Sequence, residues 1–314
     1  MEIIKTPSGN ANVAMRPNQS NRNADLAYLN IVREILAEGE LKDNRTGVRA
    51  LTISGAMFKH DMKNGFPLLT TKQMPFKNIA IELEFFMRGI TDKRWLQDRN
   101  CHIWDEWANP KIAPYGHDEA AKLKMANERD LGPIYGFQWR HFGAEYSGFD
   151  SDYAGKGIDQ LGNLVRKLKE DPNDRRMIVS AWNPQQLSLM ALPPCHYGFQ
   201  VTVINNKLNL QWNQRSVDTM LGLPFNIASY ALLLHLLAKQ ANMEEGKLIG
   251  SLADVHIYEN HIDGAKEQLA RDSAMYTPPS IVTEHFKDIF DWSAEDTKLI
   301  GYKSHPKIKF DIAV

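Results

Sequence analysis

The segment 226–241 constrains the fold of this chain more than any other stretch. Its residues are apolar almost all round a helical wheel, so a helix formed here must be buried on every side. The longest apolar run within it, residues 227–238, is too short to span a bilayer and contains Ser229, Tyr230 and His235. The sequence therefore predicts a globular domain with this helix in its interior.

Three further segments have helical signals. Asn23 is predicted to cap a helix that ends at Gly39, because one helical face carries apolar residues throughout, namely Leu26, Leu29, Val32, Ile35 and Leu36. Residues 77–88 form a second predicted helix, closed by Gly89, and residues 157–170 form an amphipathic third helix that Pro172 stops.

Strand patterns lie between these helices. The stretch that follows Ala50 resembles a strand, in which Gly55 predicts a bulge or a close backbone contact. Residues 177–182, residues 199–204 and the alternating positions Leu208, Leu210 and Trp212 predict three more strands. Asn205-Asn206 predicts a hairpin turn between the last two, because asparagine tolerates positive φ.

The 314 residues show no internal repeat and no long linker, so a single α+β domain over residues 23–314 is predicted. Residues 1–22 are polar and without hydrophobic period, which predicts an irregular N-terminal arm. Residues 108–130 are polar with two early prolines and predict a surface insertion.

Charge and cysteine content narrow the class of protein. With Lys+Arg 37 against Asp+Glu 38, the formal net charge is −1, so a general nucleic-acid-binding role has little support. RNA binding through surface lysines stays open as a minor alternative.

Cys101 and Cys195 cannot form a disulfide framework, and no signal peptide is recognisable at the start, so a cytoplasmic location is expected. No metal-ligand spacing or phosphate-binding glycine loop is present.

Cys195 is the residue most suggestive of chemistry. A lone cysteine is usually a small buried apolar residue. Here, however, two prolines precede it and the polar His196 follows. A nucleophilic thiolate needs a neighbouring cation, and Arg215 lies one hairpin away. A Cys-His hydrolase is a further alternative, although adjacent strand residues point to opposite faces, which places His196 poorly as a base.

Several polar and aromatic pairs each permit two interpretations. Arg175-Arg176 can be a solvated strand edge or an anion clamp. His256 and Tyr258 share a strand face, where they could hold a sugar hydroxyl or be satisfied core residues. Trp104 and Trp107 are one helical turn apart and could be core or a platform for a heterocycle.

In the segment QRSVD, Arg215, Ser216 and Asp218 lie along an extended run. Alternation puts Arg215 and Ser216 on opposite faces unless the strand bends.

From Leu26 to Val314 the chain resembles the thymidylate synthase family. The resemblance rests on the ordered stretches FPLLTTK, IWDEWA, LGPIYGFQWRHFG, DRRMIVSAWNP, MALPPCH, QRSVD, LGLPFNIASYALL and HPKIKFDIAV. It implies a twisted mixed sheet with packed helices, a homodimer formed sheet to sheet, and active sites shared between subunits. It implies dUMP as substrate, 5,10-methylenetetrahydrofolate as cosubstrate and no metal.

The same resemblance implies roles for individual residues. Cys195 would add to C6 of the uracil ring, Glu82 would organise proton transfers with Tyr135 and His196, and Asn226 would read the pyrimidine edge. The dUMP site would also contain Arg45, Gln214, Arg215, Ser216, Asp218, His256 and Tyr258, with Arg175 and Arg176 from the partner subunit. The folate site would contain Ile103, Trp104, Trp107, Asp218, Leu221, Gly222, Phe225 and Ala313.

Four departures from the family pattern point to an alternative. Val48-Arg49-Ala50 replaces a usual Thr-Gly-Thr, Glu84 lies in a usually apolar helix, Asn213 precedes the QRS segment, and Ala253 replaces glycine. The first three loosely resemble phage pyrimidine hydroxymethylases. A wetter cavity would favour addition of water over hydride, so a dUMP 5-hydroxymethylase is the alternative to a dTMP-forming enzyme.

Overall fold

The helix predicted from the apolar segment occupies the interior of the protein. In this computed structural model, which describes residues 24–44 and 47–312, the helix runs from Gly222 to Ala241. It starts earlier than the predicted Asn226 because Pro224 fits the first turn, where a backbone N–H has no helical acceptor. It packs against the sheet and against neighbouring helices, and most of its side chains are fully buried.

The elements follow one another along the chain without division into two domains. The helices are α1 (Ala24–Glu38), α2 (Phe76–Met87), α3 (Arg94–Gln97), α4 (Glu119–Asn127), α5 (Tyr135–His141), α6 (Gln160–Glu170), α7 (Gly222–Ala241) and α8 (Ile262–Ala270). The strands are β1 (Glu40–Lys42), β2 (Ala50–Asp61), β3 (Ile178–Ser180), β4 (His196–Ile204), β5 (Lys207–Asp218), β6 (Glu244–Tyr258), β7 (Ser280–Thr283) and β8 (Thr297–Ile300).

Six strands form one mixed sheet in the order β1-β2-β6-β5-β4-β3. Strands β5 and β6 are parallel, and the other neighbours are antiparallel. The helix α7 packs on β5 and β6, whereas α1 packs on β2, and β7 and β8 form a separate hairpin. The α+β class and the mixed sheet with packed helices are confirmed.

The neighbouring strands β2, β6 and β5 each change the sheet face on which their buried side chains lie. The three changes occur at the same level of the sheet. On β5, even-numbered residues are buried up to Gln214, and Val217 is buried after it. Strand β6 changes between Leu252 and Val255, at the level where Asp254 pairs with both Ser216 and Ser54. The strands therefore bend together here.

Gly55 lies at this bend, with φ of +90°, and neither Gly55 nor the opposite Ala253 takes part in the ladder between β2 and β6. The register on either side of the pair is unchanged, so no residue is inserted. A Cβ on Gly55 would meet no atom within 4 Å, which means that the backbone conformation, and not a close contact, favours glycine.

The remaining predicted elements differ mainly at their ends. Helix α1 ends at Glu38 before Gly39 as predicted, whereas its predicted cap Asn23 and the arm 1–22 lie outside the described residues. Both Asn205 and Asn206 adopt positive φ, which confirms the hairpin turn between β4 and β5. Within the predicted strand 177–182, β3 spans Ile178–Ser180, and the backbones of Met177 and Ala181 also hydrogen-bond to Val201 and Tyr197.

The segment 108–130 is more ordered than a polar surface insertion suggests, because it contains α4. Lys93 connects α4 to the residues just before the segment, because this side chain is 1% exposed and its Nζ donates to the carbonyl oxygens of Asp105, Trp107 and Met125. Burial lowers the pKa of Lys93. In the described part of the chain, no helix has both the length and the apolar character to cross a membrane.

Candidate active site

A cavity of about 810 Å³ opens where the three strands bend. Six predicted site residues line it, namely Trp107, Cys195, Arg215, Ser216, His256 and Tyr258. Because β5 changes face beside Gln214, Arg215 and Ser216 both reach this cavity, although regular alternation would separate them.

Cys195 lies immediately before β4, next to an irregularity between His196 and Gly198 that leaves Tyr197 unpaired with β5. Its carbonyl oxygen accepts from the backbone N–H of Arg215 at 2.8 Å, and its own N–H donates to the Tyr135 hydroxyl at 2.8 Å. Hydrogen bonds from two separate elements therefore hold the Cys195 backbone while its half-buried side chain lines the cavity.

The guanidinium group of Arg215 is held beside Cys195 by backbone oxygens. Its Nε donates to the Pro194 carbonyl at 3.0 Å, and its Nη2 donates to the Pro193 carbonyl at 2.8 Å. Among the described residues, no carboxylate forms an ion pair with it. Its full positive charge is therefore available to an anion in the cavity and to a thiolate at Cys195.

A chain of hydrogen bonds from Lys42 through Asp254 holds His256 in the cavity lining. Lys42 Nζ lies 2.5 Å from Asp254, whose other carboxylate oxygen lies 2.9 Å from His256 Nδ1. A carboxylate can only accept, so Nδ1 carries a proton and donates to Asp254, and Nε2 is directed away from that carboxylate. His256 and Tyr258 share a face, as predicted, with ring centroids 5.1 Å apart.

Glu82 on α2 is bound to Trp104, whose indole Nε1 donates to Oε1 at 2.8 Å. Burial raises the pKa of Glu82 to about 7, and the hydrogen bond from Trp104 opposes that rise. A carboxyl group with this pKa exchanges a proton readily near neutral pH, which is the property required of a general acid and base.

Tyr135 joins this group to Cys195. Its ring lies 6.1 Å from that of Trp104 and stacks on His196 at 4.3 Å. Burial raises the pKa of Tyr135 well above its usual range, so the hydroxyl that accepts from Cys195 stays protonated.

His196 is held by the Tyr230 hydroxyl, 2.9 Å from Nδ1, and burial lowers its pKa to about 3. A base this weak does not deprotonate a thiol at neutral pH, which argues against the Cys-His hydrolase alternative.

Asn226 lies on the first turns of α7, and its Oδ1 accepts from Gln214 Nε2 at 3.0 Å. The same nitrogen donates to the Ser216 carbonyl at 3.1 Å, and Gln214 Oε1 accepts from Trp212 Nε1 at 3.1 Å. The two amides are thus linked to one buried indole. Neither Gln214 nor Asn226 is among the residues that line the cavity itself.

The sequence matches the family described as thymidylate synthase over residues 26–314. The chain belongs to the thymidylate synthase family.

Similar curated proteins carry the same family name. The bifunctional dihydrofolate reductase-thymidylate synthase of Paramecium tetraurelia is 43% identical over 287 residues, which cover 91% of this chain and 61% of that protein. Bifunctional dihydrofolate reductase-thymidylate synthase 2 of Arabidopsis thaliana is 43% identical over 294 residues, covering 94% of this chain and 51% of that protein. The Zea mays protein of the same type is 42% identical over 294 residues, covering 94% of this chain and 55% of that protein. The chain spans little more than half the length of these relatives.

Several other residues implied by the family resemblance lie outside the cavity lining. Asp218 Oδ1 accepts from the backbone N–H groups of Met220 and Leu221, so Asp218 holds the turn before α7. Gly222 is close to both Asp218 and Asn226, whereas Ile103, Leu221 and Phe225 are half-buried outside the cavity lining. Arg45 and Ala313 lie outside the described residues.

Arg175 and Arg176 are exposed and do not reach the cavity of their own chain. Arg176 Nε donates to Asp174 at 2.9 Å, yet its side chain is 84% exposed. These positions leave both guanidinium groups accessible to another molecule.

Sequence reasoning missed several residues that shape the cavity. Lys42, Trp182 and Asp254 line it, and the segment 108–130 contributes Pro110 and Tyr115. Tyr115 stacks on Trp107 with ring centroids 6.0 Å apart. An available signal was the alternation of Asp254, His256 and Tyr258 along one strand, since such a run shares a face.

Of the departures from the family pattern, Ala50 lines the cavity with an apolar side chain, and the polar ones lie away from Cys195. Glu84 is 4% exposed, binds Arg88 Nε at 2.8 Å and accepts from the Ala294 N–H at 2.9 Å, beside a different cleft. Asn213 lies on the sheet face opposite Trp212 and Gln214, and Arg49 pairs with Glu259 at 2.9 Å. None of these side chains makes the cavity near Cys195 more polar. Across residues 24–44 and 47–312, no His, Cys, Asp and Glu side chains are grouped to hold a metal ion.

Proposed function

We propose that this protein converts dUMP to dTMP by reductive methylation with 5,10-methylenetetrahydrofolate, through a covalent bond between Cys195 Sγ and C6 of uracil. The observation that carries the proposal is the position of Cys195 in a cavity beside the carbonyl-held Arg215 guanidinium. A nearby fixed cation favours the thiolate, which is the nucleophilic form of cysteine.

Arg215 and Ser216 would bind the phosphate of dUMP, together with Arg45. A dianion is bound most strongly by several convergent cations in a partly enclosed cleft. Phosphate binding at Arg215 also explains why that guanidinium is held by carbonyl oxygens and not neutralised by a carboxylate.

His256 and Tyr258 would hold the deoxyribose hydroxyl. Because Asp254 accepts from His256 Nδ1–H, Nε2 would form the hydrogen bond to that hydroxyl. Burial acts to raise the pKa of Asp254, but the hydrogen bonds from Lys42 and His256 lower it, so the carboxylate stays an acceptor for His256.

Asn226 would read the uracil edge. With Oδ1 already accepting once from Gln214, a second lone pair remains for N3–H, and Nδ2 can donate to O4. This pattern matches uracil and not cytosine, whose N3 is an acceptor.

The cosubstrate, when bound, supplies the one-carbon unit and the hydride. The aromatic wall formed by Trp107 and Tyr115 fits a flat heterocycle, and the cavity of about 810 Å³ is large enough for a nucleotide and part of a second ligand. The predicted folate contacts are Ile103, Trp104, Trp107, Asp218, Leu221, Gly222, Phe225 and Ala313.

The protein groups then control protons and electrons at the uracil ring. Attack of Cys195 on C6 moves the ring electrons towards C5 and O4, which makes C5 a nucleophile for the methylene carbon. Glu82, with a pKa of about 7, would support proton transfers at O4 and C5 through the network that includes Tyr135 and His196. Loss of the C5 proton and cleavage of the bond between the methylene carbon and the folate nitrogen would leave an exocyclic methylene group on the ring. Hydride transfer to that carbon would expel the Cys195 thiolate from C6 and restore the C5–C6 double bond, giving dTMP and dihydrofolate.

We further propose a homodimer that places Arg175 and Arg176 in the phosphate site of the partner. The sheet face opposite the helices exposes Met57, Ile178 and Ile204, each more than half exposed. An uncovered apolar sheet face is typical of a surface that pairs with another copy of the chain. A cytoplasmic location is part of the same proposal.

The test is product identity. The full chain is incubated with dUMP and 5,10-methylenetetrahydrofolate, the nucleotide is identified by mass, and dihydrofolate is followed by absorbance. One dihydrofolate per dTMP supports the proposal. 5-Hydroxymethyl-dUMP with tetrahydrofolate would replace it with the hydroxymethylase reaction, and the absence of any product would refute it.

A further inference from the structure

Trp212 is a buried tryptophan on β5 that no family motif singled out. Its indole is fully buried and stacks on Tyr230 with ring centroids 5.4 Å apart and planes inclined by 6°. On the neighbouring strand, Gly250 leaves the space that the indole occupies, because a Cβ there would lie 2.4 Å from the indole ring. The indole is therefore fixed in one orientation.

The indole nitrogen can only donate a hydrogen bond. Its bond of 3.1 Å therefore requires the oxygen, and not the nitrogen, of the Gln214 amide to face it. The two N–H bonds of Gln214 then point to the Ser216 carbonyl and to Asn226, at 3.1 Å and 3.0 Å. Asn226 must in turn present its oxygen to Gln214.

Turning over the Asn226 amide or the Gln214 amide would break hydrogen bonds and leave buried N–H groups without acceptors. If the Asn226 amide turned over to suit cytosine, its N–H groups would face those of Gln214. If Gln214 also turned over, its N–H groups would face the indole N–H, and its oxygen would face the Ser216 carbonyl. A buried donor left without an acceptor is costly, so the chain of bonds favours a single orientation of Asn226.

We propose that Trp212 is a positioning residue that sets the preference for uracil over cytosine, acting through Gln214 on the amide orientation of Asn226. The inference rests on the proposed function, because it assigns the pyrimidine edge to Asn226. Trp212 itself touches neither substrate nor reacting atoms.

The test compares two tryptophans that differ in location but not in chemistry. Trp212→Phe removes one buried indole N–H from a side-chain oxygen. Trp292→Phe does the same at Thr297, where the indole donates at 3.0 Å and is 3% exposed, in contact with the β7–β8 hairpin. Dissociation constants for dUMP and dCMP are measured calorimetrically with each full-length variant, alongside melting temperatures.

The expected result is a fall in the dUMP-to-dCMP affinity ratio of about fivefold in Trp212→Phe, the net worth of one hydrogen bond. Trp292→Phe should lose thermal stability while keeping the ratio of the unaltered protein. In an Asn226→Ala background, Trp212→Phe should leave the ratio unchanged, because its route to the substrate is gone.

An unchanged ratio in Trp212→Phe would overturn the inference while leaving the proposed function intact. Failure of the unaltered protein to prefer dUMP would overturn both. If Trp212→Phe does not fold, benzothienylalanine at position 212 replaces the N–H by sulfur in a ring of nearly the same shape. The same fall in ratio is expected from that variant, and an unchanged ratio would contradict the inference.

Discussion

The backbone N–H of Cys195 donates a hydrogen bond of 2.8 Å to the hydroxyl oxygen of Tyr135. Tyr135 begins α5, and its buried ring packs between Phe86 and His196. A residue in a loop before a strand is thereby fixed to a rigid aromatic stack. Because a reacting atom must be held to within fractions of an ångström, this bond connects packing in the core to the position of the proposed nucleophile.

Removal of that hydroxyl should therefore affect both rate and stability. In Tyr135→Phe, kcat should fall by about tenfold, because Cys195 is less well positioned. The free energy of unfolding should fall by about 1 kcal/mol, because the Cys195 N–H loses its acceptor. Steady-state kinetics and denaturant titration measure the two effects.

Tyr146→Phe is the matched control for this variant. The Tyr146 hydroxyl donates to Asp130 Oδ1 at 2.5 Å and lies 2.9 Å from the hydroxyl of Thr91, and Tyr146 is absent from the cavity lining. Its loss should reduce stability and leave kcat unchanged. Equal losses of kcat in the two variants would show that the Tyr135 hydroxyl has no special role in positioning Cys195.

The raised pKa of Glu82 predicts how stability depends on pH. Its pKa is about 7 in the folded chain against an ordinary value of 4.5, so folding favours the protonated carboxyl group. This stabilisation is complete below pH 4.5 and is lost as pH rises through 7. Relative to the unaltered protein, Glu82→Gln should therefore become more stable as pH increases over that window.

Denaturant titrations at several pH values measure this difference, with exposed Glu106→Gln as control. His196, whose pKa is lowered to about 3, contributes a dependence of opposite sign, which cancels because both proteins retain it. Parallel stability curves for Glu82→Gln and the unaltered protein would contradict the raised pKa.

The proposed sharing of active sites between subunits predicts recovery of activity when two inactive variants are mixed. Arg175→Ala subunits retain Cys195, and Cys195→Ala subunits retain Arg175, so a mixed dimer has one complete site. After random exchange of subunits, about a quarter of normal activity should return, because half of the dimers are mixed and each has one active site.

The control pair for this experiment is Arg215→Ala with Cys195→Ala. Both groups come from one chain and lie in the same cavity, so no mixed dimer can assemble a complete site. Equal recovery, or no recovery, in the two mixtures would count against donation of Arg175 across the interface.

Much of this architecture was predictable because local patterns determine it. An apolar helix such as α7 must be buried wherever it lies, and Asn205-Asn206 needs only its own positive φ values to form a turn. The joint bend of β2, β5 and β6 was not predictable, since it depends on pairing between strands far apart in sequence.

The candidate site was likewise predictable where local sequence determines it and not where distant residues meet. Cys195 and Arg215 were suspected from their immediate sequence and lie together in the structure. The hydrogen-bond partners of the site residues are distant in the chain and could not be predicted. Tyr135 binds the Cys195 backbone, Trp104 binds Glu82, and Lys42 binds Asp254. Glu84 shows the converse, because its unusual identity suggested a polar active site, whereas it binds Arg88 and Ala294 elsewhere.

Trapping of the covalent adduct tests the central claim most directly. 5-Fluoro-dUMP carries fluorine in place of the C5 proton, so reaction should stop after C5 has bonded to the methylene carbon. With 5,10-methylenetetrahydrofolate present, the protein should gain the mass of both ligands, and peptide mapping should place them on Cys195. Cys195→Ser should gain nothing, whereas Cys101→Ser should react normally, because Cys101 is buried and its pKa is raised to about 12. An unmodified protein, or modification at another residue, would contradict the assignment of Cys195 as the nucleophile.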